Sequence, residues 1–392
     1  MDASGPEAPL KLTMTIMVRD EADVIGAMLR HHAAQGIDEF IITDNASSDG
    51  TTEIIQELAT SLELPLTLLH DPEHRKQQGE TVTRMARMAA DRGATWVINA
   101  DADEFWVARD PNLTLKQAFT HIEPRLGSFI VPVHDMTGPP AMDGSGLQRL
   151  VYRDARPVER MREVGIRAHA TPDAVHVGDA EVVVAQGNHF VNIPSAGDPE
   201  PEWAVEVLHF PWRSWTQFAG KVERAGMAYE RSPHLEPSAN HHGMRDYRRL
   251  RDGTLMSAYV ARHPDVSEIA SALASGTLVE DRRIADVIES PVADTPFDAE
   301  VEAAQRLLWE QMVPLERRVA AVEAEARAAR DDARGLRHEV EREREAHRGA
   351  EARADSLQTD LERAHEEIGA LRARRVVRIA DRLGRYLKVG SR

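Results

Sequence analysis

Residues 12–44, LTMTIMVRDEADVIGAMLRHHAAQGIDEFIITD, decide the fold, because two short apolar runs flank a segment of helical period. LTMTIMV (12–18) reads as a buried parallel strand and EFIITD (39–44) as its neighbour. Between them, ADVIGAMLRHHAAQG (22–36) carries apolar residues at helical spacing and ends at Gly36, which suits the left-handed position after a helix. The pattern then repeats. SSDGTTEIIQELATSL (47–62) opens with helix-capping residues, LTLLHD (66–71) is a third strand, a helix follows over 78–92, and ATWVINAD (94–101) is a fourth strand. Alternation at this spacing predicts an α/β fold with a doubly wound, mainly parallel sheet.

Outward from this block the regularity falls. Strands are expected at SFIVPVHD (128–135), near 164–170 and at AEVVVAQGNHFVN (180–192), as an antiparallel extension of the sheet. Helices are expected from Ser214 and from near Met244. From Leu308 the apolar positions step by four and three through Leu315, Val319, Val322, Leu336, Val340, Leu357, Leu361, Ile368 and Leu371, with Glu343 and His347 as polar entries. That register predicts a long helix with Pro314 in its first turn, extending ~85 Å at about 1.5 Å per residue. Leu at d with β-branched residues at several a positions favours a parallel two-stranded coiled coil, hence a homo-oligomer. The organisation expected is a disordered arm (1–11), an α/β domain (12–240), a C-terminal α-helical region (241–307), a coiled coil (308–371) and a basic amphipathic tail (372–392). The tail pattern suits a helix lying on a membrane surface, a peripheral contact, and equally a solvated helix end or a continued oligomer contact.

Composition narrows the function classes. The 392 residues include no cysteine, which excludes disulfide scaffolds, zinc–thiolate sites, iron–sulfur clusters and thiol catalysis, and fits a reducing cytoplasm. No apolar run approaches the ~18 residues of a membrane span. The net charge is −17, although residues 372–392 carry eight Arg or Lys against the single acid Asp381. The rest of the chain is therefore strongly acidic and repels nucleic acid. The expected location is cytoplasmic, with the tail able to reach the inner face of the membrane.

Four segments carry chemistry. Asp101-Ala102-Asp103-Glu104-Phe105-Trp106 follows the fourth strand directly, which places two carboxylates in the crevice where open α/β sheets bind ligands. Hard cations such as Mg²⁺ or Mn²⁺ suit carboxylate and phosphate oxygens there. Asp44, at the end of the second strand, is positioned to accept hydrogen bonds from a base or ribose, while Ser47 to Thr51 cap the next helix. Arg19-Asp20-Glu21 ends the first strand. His209-Phe210-Pro211-Trp212-Arg213-Ser214 precedes a helix, with Lys221 one turn or two further on, and this basic helix start suits a diphosphate.

Taken together, RDEADVI, the following His31-His32, DNASSDGT, WVINADADEFW and HFPWRSWTQFAGK resemble glycosyltransferase family 2 enzymes of GT-A fold, in particular a subgroup with a DxDEF-like motif. The resemblance covers about residues 12–230. It implies a GT-A doubly wound sheet and transfer of a sugar, with inversion, from a nucleoside diphosphate sugar to an acceptor hydroxyl in cell-surface glycan synthesis. It further implies Mn²⁺ or Mg²⁺ held by Asp103 and His209, with Asp101 touching metal or ribose. Arg19, Glu21 and Asp44 would line the nucleotide, and Arg213 and Lys221 the diphosphate. The partners implied are the donor and a glycan or glycolipid acceptor. The catalytic base is left open among Asp135, Glu163 and Glu202, with His189 a further site residue. Two other readings compete: a sugar-1-phosphate nucleotidyltransferase, which would show a Gly-rich basic loop where RDEAD stands, and an inactive scaffold assembled through the coiled coil.

Overall fold

The computed structural model describes residues 9–73, 78–166, 168–230 and 242–389. The expected arm (1–11) falls mostly outside these residues, as does the end of the basic tail from residue 390 on.

The first half follows the predicted alternation: β1 (Leu12–Val18), α1 (Ile25–Ala34), β2 (Glu39–Asp44), α2 (Thr51–Ser61), β3 (Leu66–His70), α3 (Gln78–Asp91) and β4 (Trp96–Ala100). Strands β1 to β4 are mutually parallel in the spatial order β3-β2-β1-β4. β1, β2 and β4 are buried on both faces, while β3, at the sheet edge, is half-buried. Leu12, Met14, Ile16, Phe40, Ile42 and Ile98 meet Met28, Leu29, Ile55 and Leu58 of α1 and α2 on one side. Ile41 and Val97 meet Val82, Met85 and Ala89 of α3 on the other. This two-sided burial is what gives the strands their nearly continuous apolar character.

Beyond β4 come β5 (Glu104–Ala108), α4 (Leu115–His121), β6 (Ser128–Val131), β7 (Val133–Thr137), β8 (Ala141–Asp143), β9 (Tyr152–Asp154), α5 (Val158–Glu163), β10 (Asp173–Val177) and β11 (Val205–His209). β10 pairs antiparallel with both β4 and β6 and completes a six-stranded sheet. β5, β11, β7 and β9 belong to a second sheet. Three strand expectations need correction here. SFIVPVHD is two strands in two sheets, because Pro132 has no N–H for a ladder; its carbonyl accepts instead from Val207 N at 2.9 Å, and the chain crosses from one sheet to the other. The stretch near 164–170 holds no strand among its described residues, and Gly165 takes φ +78 where α5 ends. AEVVVAQGNHFVN is a loop with a single bridge, Val184 to Val191. Its alternation is real but serves α3: Val182 and Val184 are buried against that helix. Thr83 Oγ1 accepts from Val184 N (2.9 Å) and Arg87 Nε donates to Val182 O (2.8 Å), so helix side chains satisfy this backbone.

The remaining elements are α6 (Trp215–Glu230), α7 (His242–Arg251), α8 (Leu255–Arg262), α9 (Val266–Ser275), β12 (Leu278–Glu280), β13 (Thr295–Pro296) and α10 (Ala299–Val389). β12 extends the second sheet beside β9, and β13 pairs with β8. Gly226 lets α6 approach α7 closely, since a Cβ there would lie 2.1 Å from the Tyr247 ring.

The chain divides into two compact units, residues 1–313 and 314–392. In the first, the opening turns of α10 pack through buried Trp309, whose Nε1 donates to Glu163 O at 3.2 Å. Pro314 was expected in the first turn of the long helix. It lies well inside α10, which starts at Ala299, so the helix absorbs one missing N–H donor. The second unit is the continuation of that helix, with its heptad leucines exposed in the single chain: Leu315 58%, Leu336 62%, Leu357 68%. Among the described residues no helix is long and apolar enough to cross a membrane.

Candidate active site

The C-terminal ends of β1, β2 and β4 open into one cleft of about 270 Å³, the crevice this topology provides for ligands. The first two loops are cross-tied before any ligand is considered. Asp20, at φ +51, accepts from Ser48 N (2.7 Å) and donates its own N–H to Ser47 Oγ (3.0 Å). Glu21 N donates to Thr51 Oγ1 at 2.9 Å. Asp44 accepts from the Thr52 hydroxyl (2.7 Å) and from Ser47, so its carboxylate is committed to the turn, and the next residue, Asn45, lines the cleft. The DNASSDGT segment is thus chiefly a knot that shapes two strand ends.

Asp101 and Asp103 follow β4, and the chain reverses at once into β5, whose Glu104 pairs with His209 of β11. Two buried histidines of α1 fix that reversal. His32 Nε2 accepts from Trp106 N at 3.0 Å while its Nδ1 donates to Met28 O; His31 Nε2 donates to Trp106 O at 3.2 Å. The His31-His32 pair therefore clamps both backbone groups of the residue three positions beyond Asp103. It has no place in the cleft itself. Burial pulls the His31 pKa down to about 4, and burial with the neighbouring His31 holds His32 well below the ordinary histidine value.

Charge is concentrated on Asp103. Its Oδ2 lies 2.7 Å from Lys221 Nζ, 3.4 Å from Arg213 Nη1 and 3.8 Å from His209 Nε2. Burial opposes ionisation of Asp103, but Lys221, His209 and Arg213 overcome it and hold the carboxyl far below its usual range. Asp101 behaves oppositely: burial and the adjacent Asp103 push it up to about 6. Its Oδ1 accepts from Gln78 Nε2 (2.9 Å) and Asn188 Nδ2 (3.1 Å). Glu104, fully enclosed and near Asp173 and Asp101, is raised well above the carboxylate range and accepts from Asp101 N at 2.9 Å.

His209 Nδ1 donates to Asp135 Oδ1 at 2.7 Å, which leaves Nε2 turned to Asp103. Burial disfavours the imidazolium, yet the Asp135 hydrogen bond and the Asp103 charge more than offset it, so His209 titrates above the ordinary value. A carboxylate behind a histidine, with the free nitrogen beside a second carboxylate, is the donor arrangement that orients metal ligands. Among the described residues no three His, Asp or Glu side chains form a metal cluster. Asp103 and His209 do fit one small divalent cation, whose other positions would fall to phosphate and water oxygens, as Mg²⁺ commonly requires.

The other expected site residues are placed as follows. Arg19, Glu21, Asp101, Asp103 and Lys221 line the cleft together. Arg213 does not reach it: wholly buried, it bonds Asp23 (Nε, 2.7 Å), Glu21 and the Phe210 carbonyl, and acts as an internal counter-charge to Glu21 and Asp103. Asp135 braces His209 and also accepts from Ala170 N at 3.2 Å, so it is no free base. Glu163, on α5, pairs with Arg160 and is not among the residues that line the cleft. Glu202 precedes β11, at the opposite end of that strand from His209, a separation of roughly 20 Å at about 3.3 Å per residue.

Sequence reasoning missed Arg224, Asp23, Gln78, Asn188 and Asp173. Arg224 was accessible: with Lys221, Ala225 and Ala228 it forms the one face of α6 that lines the cleft, at helical spacing. Asp173 opens β10 beside the end of β4 and holds His189 Nδ1 at 3.0 Å, and its second oxygen has no hydrogen-bond partner among the described residues. Nothing local in the sequence marks it.

Comparison with known proteins finds a family match over part of the chain. Residues 14–119 match the protein-family model described as Glycosyl transferase family 2. Among solved structures the chain is similar to S. aureus TarS 1-349 in complex with UDP, at 12% identity and TM-score 0.34, over 79% of this chain and 92% of that one. It is also similar to glucosyl-3-phosphoglycerate synthase from Mycobacterium tuberculosis in complex with Mn²⁺, UDP and glucosyl-3-phosphoglycerate, at 12% identity and TM-score 0.26, over 66% and 82% of the two chains. No curated protein matches. The family match spans β1 to β5 and therefore includes the strand ends that carry Arg19, Asn45, Asp101 and Asp103.

Proposed function

We propose that the protein transfers a glycosyl group from a nucleoside diphosphate sugar to an acceptor hydroxyl. The observation that carries this is the pair Asp101 and Asp103 at a parallel-strand edge, faced across the cleft by the cationic side of α6 and lying within the family 2 match. Asp103 and His209 would hold Mn²⁺ or Mg²⁺, which supplies Lewis-acid stabilisation of the departing diphosphate. Lys221 and Arg224 add positive charge one turn apart on the same helix face. Arg19 and Asn45 border the nucleoside side, and Asp101, anchored through Oδ1, offers its other oxygen to a ribose hydroxyl. Arg213 stays inside and keeps Glu21 and Asp103 compatible with burial.

Inverting transfer needs a base for the acceptor hydroxyl. We assign it to His189, one-third exposed and held by Asp173, whose neighbour Asn188 bonds Asp101. The hydrogen bond to Asp173 raises the His189 pKa, which makes the ring a stronger base and moves the pH at which its free-base form appears upward. The acceptor is proposed to be a glycan or glycolipid, met at the membrane face through the basic C-terminal tail. An intact, electrostatically organised Asp101–Asp103–His209 group argues against a relic scaffold, and RDEAD in place of a Gly-rich loop against a nucleotidyltransferase. The test is thermal stabilisation by a panel of nucleoside diphosphates and their sugars, with and without Mn²⁺. A metal-dependent shift for one base supports transfer and names the donor; no shift with any nucleotide overturns it.

A further inference from the structure

The exposed apolar stripe of residues 315–371 lies on a helix whose flanking charges select one partner. With Leu315, Val322, Leu336, Leu357 and Leu371 at d and Val319, Val340, Leu361 and Ile368 at a, the g positions are Arg318, Glu325, Asp332, Glu339, Ala346, Arg353, Asp360 and Glu367. The e positions are Glu323, Arg330, Arg337, Arg344, Glu351, Gln358, His365 and Arg372. In a parallel pair of helices, each g residue faces the partner's e residue five positions later.

We propose that this helix pairs with a second copy of the same chain, parallel and in register. In that alignment Arg318 meets the partner's Glu323, Glu325 the partner's Arg330, Asp332 the partner's Arg337, Glu339 the partner's Arg344, and Glu367 the partner's Arg372. Every one of these charged pairs is of opposite sign. A slip of one heptad loses this: in one direction Arg318 meets the partner's Arg330 and Glu339 the partner's Glu351, and in the other Glu325 meets the partner's Glu323. In register Glu343 faces the partner's Glu343, a like-charge layer that weakens the pair, and His347 faces the partner's His347, whereas a slip sets each against an apolar or alanine layer. The small core at Ala326, Ala329 and Ala333 draws the two backbones close there, which shortens the reach of the flanking pairs. This pairing is independent of the transferase reading.

The test uses the full chain, which has no native cysteine. Light scattering at micromolar concentration is expected to give twice the monomer mass. A single Leu357→Cys is expected to give a disulfide-linked dimer on mild oxidation, which an antiparallel or slipped pair cannot form. Glu325→Lys, Asp332→Lys and Glu339→Lys together turn six cross-helix attractions into repulsions and should weaken dimerisation about 100-fold or more. Adding Arg330→Glu, Arg337→Glu and Arg344→Glu should restore it. A monomeric wild-type chain, a dimer without the Leu357→Cys cross-link, or absence of rescue by the six-fold swap would each overturn the proposal.

Discussion

Lys221→Met is the most informative single change in the cleft. The Lys221 ammonium lies 2.7 Å from Asp103 Oδ2, the oxygen that a divalent cation would also claim. Ammonium and metal therefore compete for one carboxylate until a donor diphosphate offers Lys221 a second anionic partner. The side chain is 44% exposed, so its charge-assisted bond, discounted for solvent screening, is worth about 1–2 kcal/mol. Removing the ammonium while keeping the apolar stem should then tighten Mn²⁺ binding without nucleotide by about 5- to 30-fold. Asp103 remains ionised in the variant, because Arg213 is fully buried 3.4 Å away. Nucleoside diphosphate binding in the presence of Mn²⁺ should move the opposite way, weakening about 10-fold. Electron paramagnetic resonance of free Mn²⁺ reads the first quantity and calorimetry the second. Unchanged Mn²⁺ affinity, or a change of the same sign in both titrations, would refute the competition.

Further expectations concern single residues and pH. Asp103→Asn should abolish transfer with the fold retained by circular dichroism but a lowered melting temperature, because Lys221, Arg213 and His209 lose a buried counter-charge while the hydrophobic core stays intact. Asp135→Asn should weaken Mn²⁺ binding about 10-fold or more by releasing His209 from its carboxylate, with the fold unchanged by circular dichroism. His32→Ala should cost about 2–3 kcal/mol in denaturant unfolding, because it leaves Trp106 N–H buried without an acceptor. For pH, His31 falls to about 4 and His32 and His263 are held well below the ordinary 6.5, so these rings stay neutral in the fold while the unfolded chain takes up protons. Their stabilisation is complete above pH 6.5 and is lost as pH falls toward 4, by about 3 kcal/mol for His31 alone. Urea unfolding between pH 7 and 4.5 checks the sign, and His31→Gln should flatten the slope.

How far each feature could be read in the sequence depended on how local its cause is. Strands β1 to β4 and helices α1 to α3 were legible within a few residues because two-sided burial of β1, β2 and β4, and half-burial of the edge strand β3, favour short apolar runs. The Asp101 and Asp103 pair was legible because it follows such a run directly. The 128–192 region was not, since Pro132 hands the chain from one sheet to another and Val182 and Val184 answer to α3. The same applies to Arg213: a basic residue before a helix looks like an anion contact, and only its ion pairs with Glu21 and Asp23, far apart in sequence, make it an internal charge.

The sequence by itself determined the parallel α/β block, the carboxylate pair at its edge and the heptads with their matched flanking charges, all of which rest on periodicity or adjacency. Only the tertiary structure decided the electrostatics of the cleft. Asp103 is ionised and Asp101 is raised to about 6 because β11 brings His209 and α6 brings Lys221 to the first, while burial beside that ionised neighbour governs the second. Contacts between residues a hundred positions apart leave no local pattern, because their energy depends on which strand ends the sheet order places together.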